Sequence, residues 1–272
     1  MNVTSLIENT SRKGLPTEHG LSLHIQMDDE QSILFDMGQG RLFAENAERL
    51  GVNIKDIDTA VISHGHYDHG GGLETFLFIN DKAKVYIHKR AFEPHYSLRD
   101  TGLTYIGLKH ELHSSNRIVF CEDKHYISDD LMLFSDVTDC CWRPVGNRLL
   151  FGPDKKEHDD FCHEQNMIIK EGNNVVLFAG CAHNGIVGII HKAIQQLGIA
   201  PTHVLAGMHL VKSGMSDTEE DACIAKLTAE LMKYAHTQFY TMHCTGEVGF
   251  NKLKNIMGDQ IEYLSCGDNI EI

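Results

Sequence analysis

Apolar and polar positions along the chain follow two periods, and the switches between them outline the elements. Leu21-Ser22-Leu23-His24-Ile25-Gln26 alternates as a half-buried strand does, Asp28-Asp29-Glu30 makes a turn, and Ser32–Phe35 returns as the second strand of a hairpin. Before it, residues 1–20 offer only the turn-like Thr17-Glu18-His19-Gly20. Leu42, Phe43, Ala47 and Leu50 fall at helical spacing within 41–50, and Gly51 stops that helix. Residues 56–63 read as a strand, 73–79 as a helix with Leu73, Phe76 and Leu77 inward, and 84–88 as a further strand. Residues 89–160 lose the period. It returns in a hairpin, 166–170 and 175–179, turning through Glu171-Gly172-Asn173-Asn174. A helix over 186–197, a strand over 203–209 and an amphipathic helix over 218–234, capped by Ser216 or Asp217, come next. A strand at 238–242, a helix at 247–257 and a strand at 261–265 complete the pattern. Each half is a hairpin followed by alternating strands and helices, which predicts a mixed α/β fold. Residues 1–272 are expected to form one domain, with 89–160 as an irregular insertion covering the active site.

Composition narrows the function classes. A chain of 272 residues, 42% of them hydrophobic, is ample for a large core. A formal charge of -14 argues against nucleic acid as the main partner and leaves a small-molecule substrate as the expectation. The start, Met1-Asn2-Val3-Thr4, is not a basic-then-apolar leader, and no apolar run reaches membrane-spanning length, so a cytoplasmic protein without membrane attachment is expected. Eight cysteines without C-x-x-C spacing read as reduced thiols.

The chemistry is concentrated in Ser63–Gly72, S-H-G-H-Y-D-H-G-G-G, directly after the apolar run Thr59–Ile62. In an extended segment His64 and His66 point to the same side and can converge on one ion. Asp68 and His69 come as the glycines turn the chain, aimed at a second point nearby. Imidazole and carboxylate suit zinc, iron or manganese, and a set poor in thiolate leaves room for water. Three more strands end in His183, His209 and His243, the position where loops of α/β sheets gather sites. Asp36, ending a strand beside glycines, is either a turn residue or a carboxylate that orients a ligand histidine. In the irregular stretch His95, His110, His113, His125 and His158 lack a partner at ligand spacing and read as surface or pocket lining. Arg143 and Arg148 are candidates for holding an anionic group.

These motifs resemble the metallo-β-lactamase superfamily over almost the whole chain. G-C-A-H-N-G-I-V at 180–187, A-G-M-H-L at 206–210, M-H-C-T-G at 242–246, H-K-R-A-F-E-P-H-Y at 88–96 and Glu164-Gln165 are similar to the branch of the dihydropterin–ribofuranosylaminobenzene phosphate synthases. The resemblance implies a four-layer αββα sandwich holding two divalent transition metals, zinc first, with iron or manganese as alternatives. It implies His64, His66 and His183 on one metal, and Asp68, His69 and His243 on the other. Where many members have a bridging Asp, this chain has Cys181, either a thiolate bridge or a buried thiol. Asp68 would be ligand and orienter of the attacking hydroxide, and His209 a pocket residue able to donate a proton. The resemblance implies a hydrolase using activated water; the branch's own chemistry, pterin-methyl transfer from a diphosphate, and a mononuclear iron oxidoreductase are alternatives. The expected substrate is a small anionic, phosphorylated metabolite.

Overall fold

The computed structural model describes residues 1–138, 142–210 and 216–272. The first sheet is built on β1 (Asn2–Ile7), β2 (Ser22–Gln26), β3 (Ser32–Phe35), β4 (Thr59–Ile62) and β5 (Lys84–His88). Helix α1 (Leu42–Arg49) links β3 to β4, and the short α2 (Tyr67–Gly70) and α3 (Leu73–Ile79) link β4 to β5. Residues 89–160, expected to be irregular, instead thread three sheets. They contribute β6 (Tyr96–Arg99), β7 (Gly102–Tyr105), β8 (Ile118–Cys121), β9 (Lys124–Tyr126), β10 (Leu131–Phe134) and β11 (Leu150–Phe151). Then follow β12 (Asn166–Glu171), β13 (Asn174–Ala179), α4 (Ile186–Leu197), β14 (His203–Ala206), α5 (Asp217–Leu231), β15 (Gln238–Thr241), α6 (Gly246–Met257), β16 (Ile261–Tyr263) and β17 (Asn269–Glu271). The sheets run β17-β1-β2-β3-β4-β5-β8, β16-β15-β14-β13-β12-β10-β9 and β11-β6-β7.

Strand alternation explains the layers, because successive side chains face opposite sides of a sheet. Leu23, Ile25, Ile33, Phe35 and Val61 meet Val176, Phe178 and Leu205 in a core between the two large sheets. There Phe35 and Phe178 pack with ring centroids 5.9 Å apart, each burial contributing roughly 1.5–3 kcal/mol. The intervening residues Leu34, Ala60, Ile62, Val85 and Ile87 pack outward under Phe43, Ala47, Leu73 and Phe76 of α1 and α3. On the opposite side Val175, Leu177, Val204 and Phe239 pack under Ile186, Ile190, Ile224, Leu227 and Leu253 of α4, α5 and α6. Helix, sheet, sheet, helix is the αββα sandwich expected from the sequence. Helix α5 opens with a capping box in which Ser216 accepts from Glu219 N, the first of the two caps anticipated. No helix among the described residues is long and apolar enough to cross a membrane.

The register decides where function sits. β3, β4 and β5 are parallel to one another, as are β13, β14 and β15. Their C-terminal ends emit the loops that carry Asp36, His64–His69, Cys181–His183, His209 and His243. The strands β1 and β17, unanticipated from the sequence, pair antiparallel and close the edge of the first sheet. β1 hides its period behind a register shift between Ser5 and Ile7 in its pairing with β2.

Candidate metal centre

The loop after β4 is held on both sides. Gly180, directly after β13, passes so close that a Cβ there would lie 2.3 Å from Ser63 Oγ. Gln165 Nε2 donates to Ile62 O at 2.9 Å, and the buried Glu164 carboxylate accepts from His183 N at 2.6 Å and Asn184 N at 2.9 Å. Burial pushes the Glu164 carboxyl above its ordinary range. With the loops clamped this way, His64, His66 and His183 each bring one donor atom within 4.8 Å of the other two. Around a second point, Asp68 Oδ2 stands 3.5 Å from His243 Nε2 and 3.9 Å from His69 Nε2. The six residues expected as ligands therefore gather in two adjoining triads.

The outer ring nitrogens fix which lone pair faces inward. Asp36 is an orienting carboxylate: Oδ2 accepts from His69 Nδ1 at 2.7 Å and from Ser63 Oγ at 2.7 Å, and Oδ1 accepts from Ser63 N at 2.7 Å. Since the Ser63 hydroxyl has one hydrogen and gives it to Asp36, its oxygen accepts from His64 Nδ1 at 2.9 Å. Asn147 Oδ1 accepts from His183 Nδ1 at 2.9 Å, while its Nδ2 donates to His183 O at 2.8 Å. Asn9 treats His243 the same way, at 2.9 Å for Nδ1 and 3.2 Å for the carbonyl. Four imidazoles thus carry their hydrogen on Nδ1 and aim an Nε2 lone pair inward. His183 Nε2 and His243 Nε2 are buried without a hydrogen-bond partner. Burial, followed by neighbouring imidazoles, holds His64 and His183 well below the usual histidine range, so their lone pairs are not lost to protons. Burial opposes charge on His69, yet Asp36 and Asp68 raise it to about 9. Burial likewise works to raise Asp68, but His69, His19 and His243 outweigh it and hold the carboxylate well below its ordinary range. Imidazoles of which His64 and His183 are held neutral, one carboxylate, orphaned inward nitrogens and a His69 whose Nε2 proton a cation would replace form a donor set that fits divalent transition metals.

Cys181 stands between the triads. Its Sγ is 3.1 Å from His69 Nε2, and its donor groups both with His64 and His69 and with His243 and Cys244. Burial pushes its thiol well up. The six described cysteines are free; the Cys140–Cys141 pair lies outside the described residues. The backbone is left-handed at Asp36 (φ 60), Ala182 (φ 53), His209 (φ 45) and His243 (φ 51), so strain collects where these loops meet.

A cavity of about 230 Å³ opens over the triads, walled by Ser97, Arg99, Ile106, Leu149 and Leu150 of the small sheet and its approach, and by His19 and His209. From the stretch 89–160, β6 brings Ser97 and Arg99 to this cavity, β11 brings Leu150, and Ile106 comes from just after β7. A larger, shallow concavity of about 1000 Å³ beside α1 and α3 holds none of these donors. His209, with Nδ1 buried and unpartnered, packs 4.4 Å from the His183 ring. Arg143 donates to Asn184 Oδ1 at 2.8 Å and Arg148 is exposed; neither lines this cavity, whereas Arg99 does. His19, missed in the sequence, sits 3.2 Å from Asp68 Oδ2, a hydrogen bond that raises its imidazole above the ordinary value. His110, His113 and His158 are exposed as expected, but His95 is a correction: it is buried and bonded through Nδ1 to Asp159 Oδ2 at 2.7 Å. The signal missed was the carboxylate at Asp159, too distant in sequence to read as its partner.

The comparisons with known proteins agree with this geometry. A model of the metallo-beta-lactamase superfamily matches residues 17–203. An uncharacterized protein of Methanocaldococcus jannaschii is 29% identical over 259 residues, covering 92% of this chain and 93% of its own. From the same organism, 7,8-dihydropterin-6-methyl-4-(beta-D-ribofuranosyl)-aminobenzene-5'-phosphate synthase is 26% identical over 276 residues, covering 94% and 90%. The solved structure of Tm1679, described as a metal-dependent hydrolase of the beta-lactamase superfamily, superposes with a TM-score of 0.82 at 28% identity, over 100% of this chain and 99% of that one.

Proposed function

The chain belongs to the metallo-beta-lactamase superfamily, and on that footing we propose that it is a metal-dependent hydrolase of a small anionic metabolite. His64, His66 and His183 would hold one divalent transition metal, and Asp68, His69 and His243 a second, zinc first, with iron or manganese as alternatives. The observation that carries this reading is the inward aim of the Nε2 atoms of His183 and His243, buried without partners while Asn147 and Asn9 hold the opposite nitrogens. Cys181, in reach of both triads, is proposed as the shared ligand in place of a carboxylate.

Bound there, such ions supply Lewis acidity and bring a water's pKa toward neutrality. The chain's own groups do the rest. Asp68 stays charged and orients the nucleophilic water, with His19 steadying its Oδ2. His209, on the cavity wall with an unpartnered Nδ1, delivers a proton to the leaving group. Arg99 at the rim offers a planar fork to a phosphate or carboxylate. A cavity of about 230 Å³ over these residues supports a small metabolite as the substrate.

The test is metal analysis joined to a substrate panel. Close to two ions per chain, with turnover of phosphoesters, is the expected outcome. One ion at most after reconstitution, or neutral lactones and thioesters turning over far better than any phosphate compound, refutes it. A second reading, pterin-methyl transfer, is favoured by the relative named as a synthase at 94% coverage of this chain. Pyrophosphate release that requires a second organic substrate rather than water would select it.

A further inference from the structure

One imidazole of the first triad is bound differently from the rest. His66 turns Nδ1 inward, 3.0 Å from His64 Nε2, so its Nε2 is the outer nitrogen. If Nδ1 gives its lone pair to a metal, neutral His66 carries its hydrogen on Nε2, and that atom is buried with no partner. The other four histidines all have an acceptor at the corresponding place.

Behind His66 lies a second buried group: His95, Asp159 and His163, whose donor atoms fall within 4.8 Å of one another and of His66. Its hydrogens can be assigned. Gly65 N donates to His163 Nδ1 at 2.9 Å, so His163 carries its hydrogen on Nε2 and donates to Asp159 Oδ2 at 3.3 Å. His95 Nδ1 donates to the same oxygen at 2.7 Å, which leaves His95 Nε2 as a bare lone pair, buried and unpartnered. The rings of His66 and His95 meet edge to face with centroids 5.6 Å apart. A buried donor without acceptor and a buried acceptor without donor therefore belong to residues of one group whose donor atoms lie within 4.8 Å of one another, and each left unpaired carries an uncompensated desolvation cost. The missing side chain at Gly65 leaves room for His95 beside this loop: a Cβ there would lie 2.8 Å from His95 Nε2.

We propose that His95 is a positioning residue for the first metal: its Nε2 accepts the Nε2–H of His66, and Asp159 holds His95 in the tautomer that can do so. The proposal rests on the metal-binding reading above. His163, saturated at both nitrogens, braces Asp159 and the Gly65 loop and takes no part in ligation. The chain Asp159–His95–His66 is then the counterpart, for the fifth imidazole, of what Asp36, Asn9 and Asn147 do for theirs, and it makes His66 a more basic ligand.

The experiment compares the parent with His95→Phe, His95→Gln and Asp159→Asn by chelator competition resolving two zinc sites, together with cobalt spectra. His95→Phe should weaken first-site binding about 10–100-fold, with the second site within twofold. His95→Gln, whose amide oxygen can accept, should recover most of that loss. Unchanged first-site affinity in His95→Phe, or a Gln variant as weak as Phe, overturns the proposal while leaving the two-metal reading intact. A parent that binds no first ion defeats the metal reading instead. Should the variants fail to fold, long-range nitrogen–proton NMR on the zinc-loaded parent decides. Hydrogen on His95 Nδ1 and on His66 Nε2 supports the proposal, and hydrogen on His95 Nε2 overturns it. A third zinc per parent chain, lost in His95→Phe, also overturns it, since the cluster would then be a metal site itself.

Discussion

Asp36→Asn is the most informative single substitution, because one carboxylate sets the direction of hydrogen bonds in both triads. The two side chains have the same shape, and Asn tolerates the left-handed φ of 60 at this position. Its Oδ1 can still accept from Ser63 N. Its Nδ2, however, is a donor where Asp36 accepted from His69 Nδ1 and Ser63 Oγ, each at 2.7 Å. His69 must then move its hydrogen to Nε2, which points at the second triad. Ser63, now receiving a hydrogen from Asn, turns its own toward His64 Nδ1, 2.9 Å away, and His64 too moves its hydrogen inward. Each reversal should weaken its ion about 10–100-fold, or about 1.4–2.7 kcal/mol. Replacing charge-assisted bonds by neutral ones should cost the metal-free fold about 2 kcal/mol, a fall in Tm of roughly 4–8 °C. Ser63→Ala is the control: it removes only the arm to His64 and should weaken the first site alone. Two-site chelator titration with calorimetric Tm measures both quantities. An Asp36→Asn protein that fills both sites at parental affinity, or a Ser63→Ala protein that loses the second site equally, would refute the reasoning.

Cys181→Ser should lower second-site occupancy and remove a sulfur-to-metal charge-transfer band from the cobalt-substituted spectrum; a parent without such a band would show that the thiol, 3.1 Å from His69 Nε2, is not a ligand. Arg99→Ala should raise KM for phosphorylated substrates about tenfold at unchanged metal content, and by more than Arg143→Ala or Arg148→Ala; equal effects of all three would remove Arg99 from the anion site.

What could be read in the sequence was whatever is local. The H-x-H-x-D-H loop follows its strand, His183, His209 and His243 end theirs, and the helix of residues 186–197 has the bounds its apolar spacing predicts. What was hidden is long-range. Asn9 and His243 are separated by 234 positions, Gly65 and His163 by 98, and no window along the chain contains both members. Asp36 was legible only as a choice of two roles until Ser63 and His69 were seen around it. The strands β8, β9 and β11 hold two to four residues each, too few for an alternation to register, and so 89–160 read as irregular. Arg99 gave no signal because an arginine's meaning depends on what lies beneath it.

The clamp of Asn9 on His243, reinforced by Glu8 accepting from His243 N at 2.7 Å, has a consequence for biosynthesis. Translation delivers Asn9 234 positions before His243, so a growing chain carries the holder long before the thing held. Until β15 leaves the ribosome and docks beside β14, the second triad has no His243 and the Asn9 amide no imidazole to orient. A product stopped before β15 keeps the histidine-rich loop yet lacks His243 of the second triad. On the two-metal reading, the second cage is whole only in molecules where the segment after β1 has met the loop after β15, so filling it would report on that distant encounter.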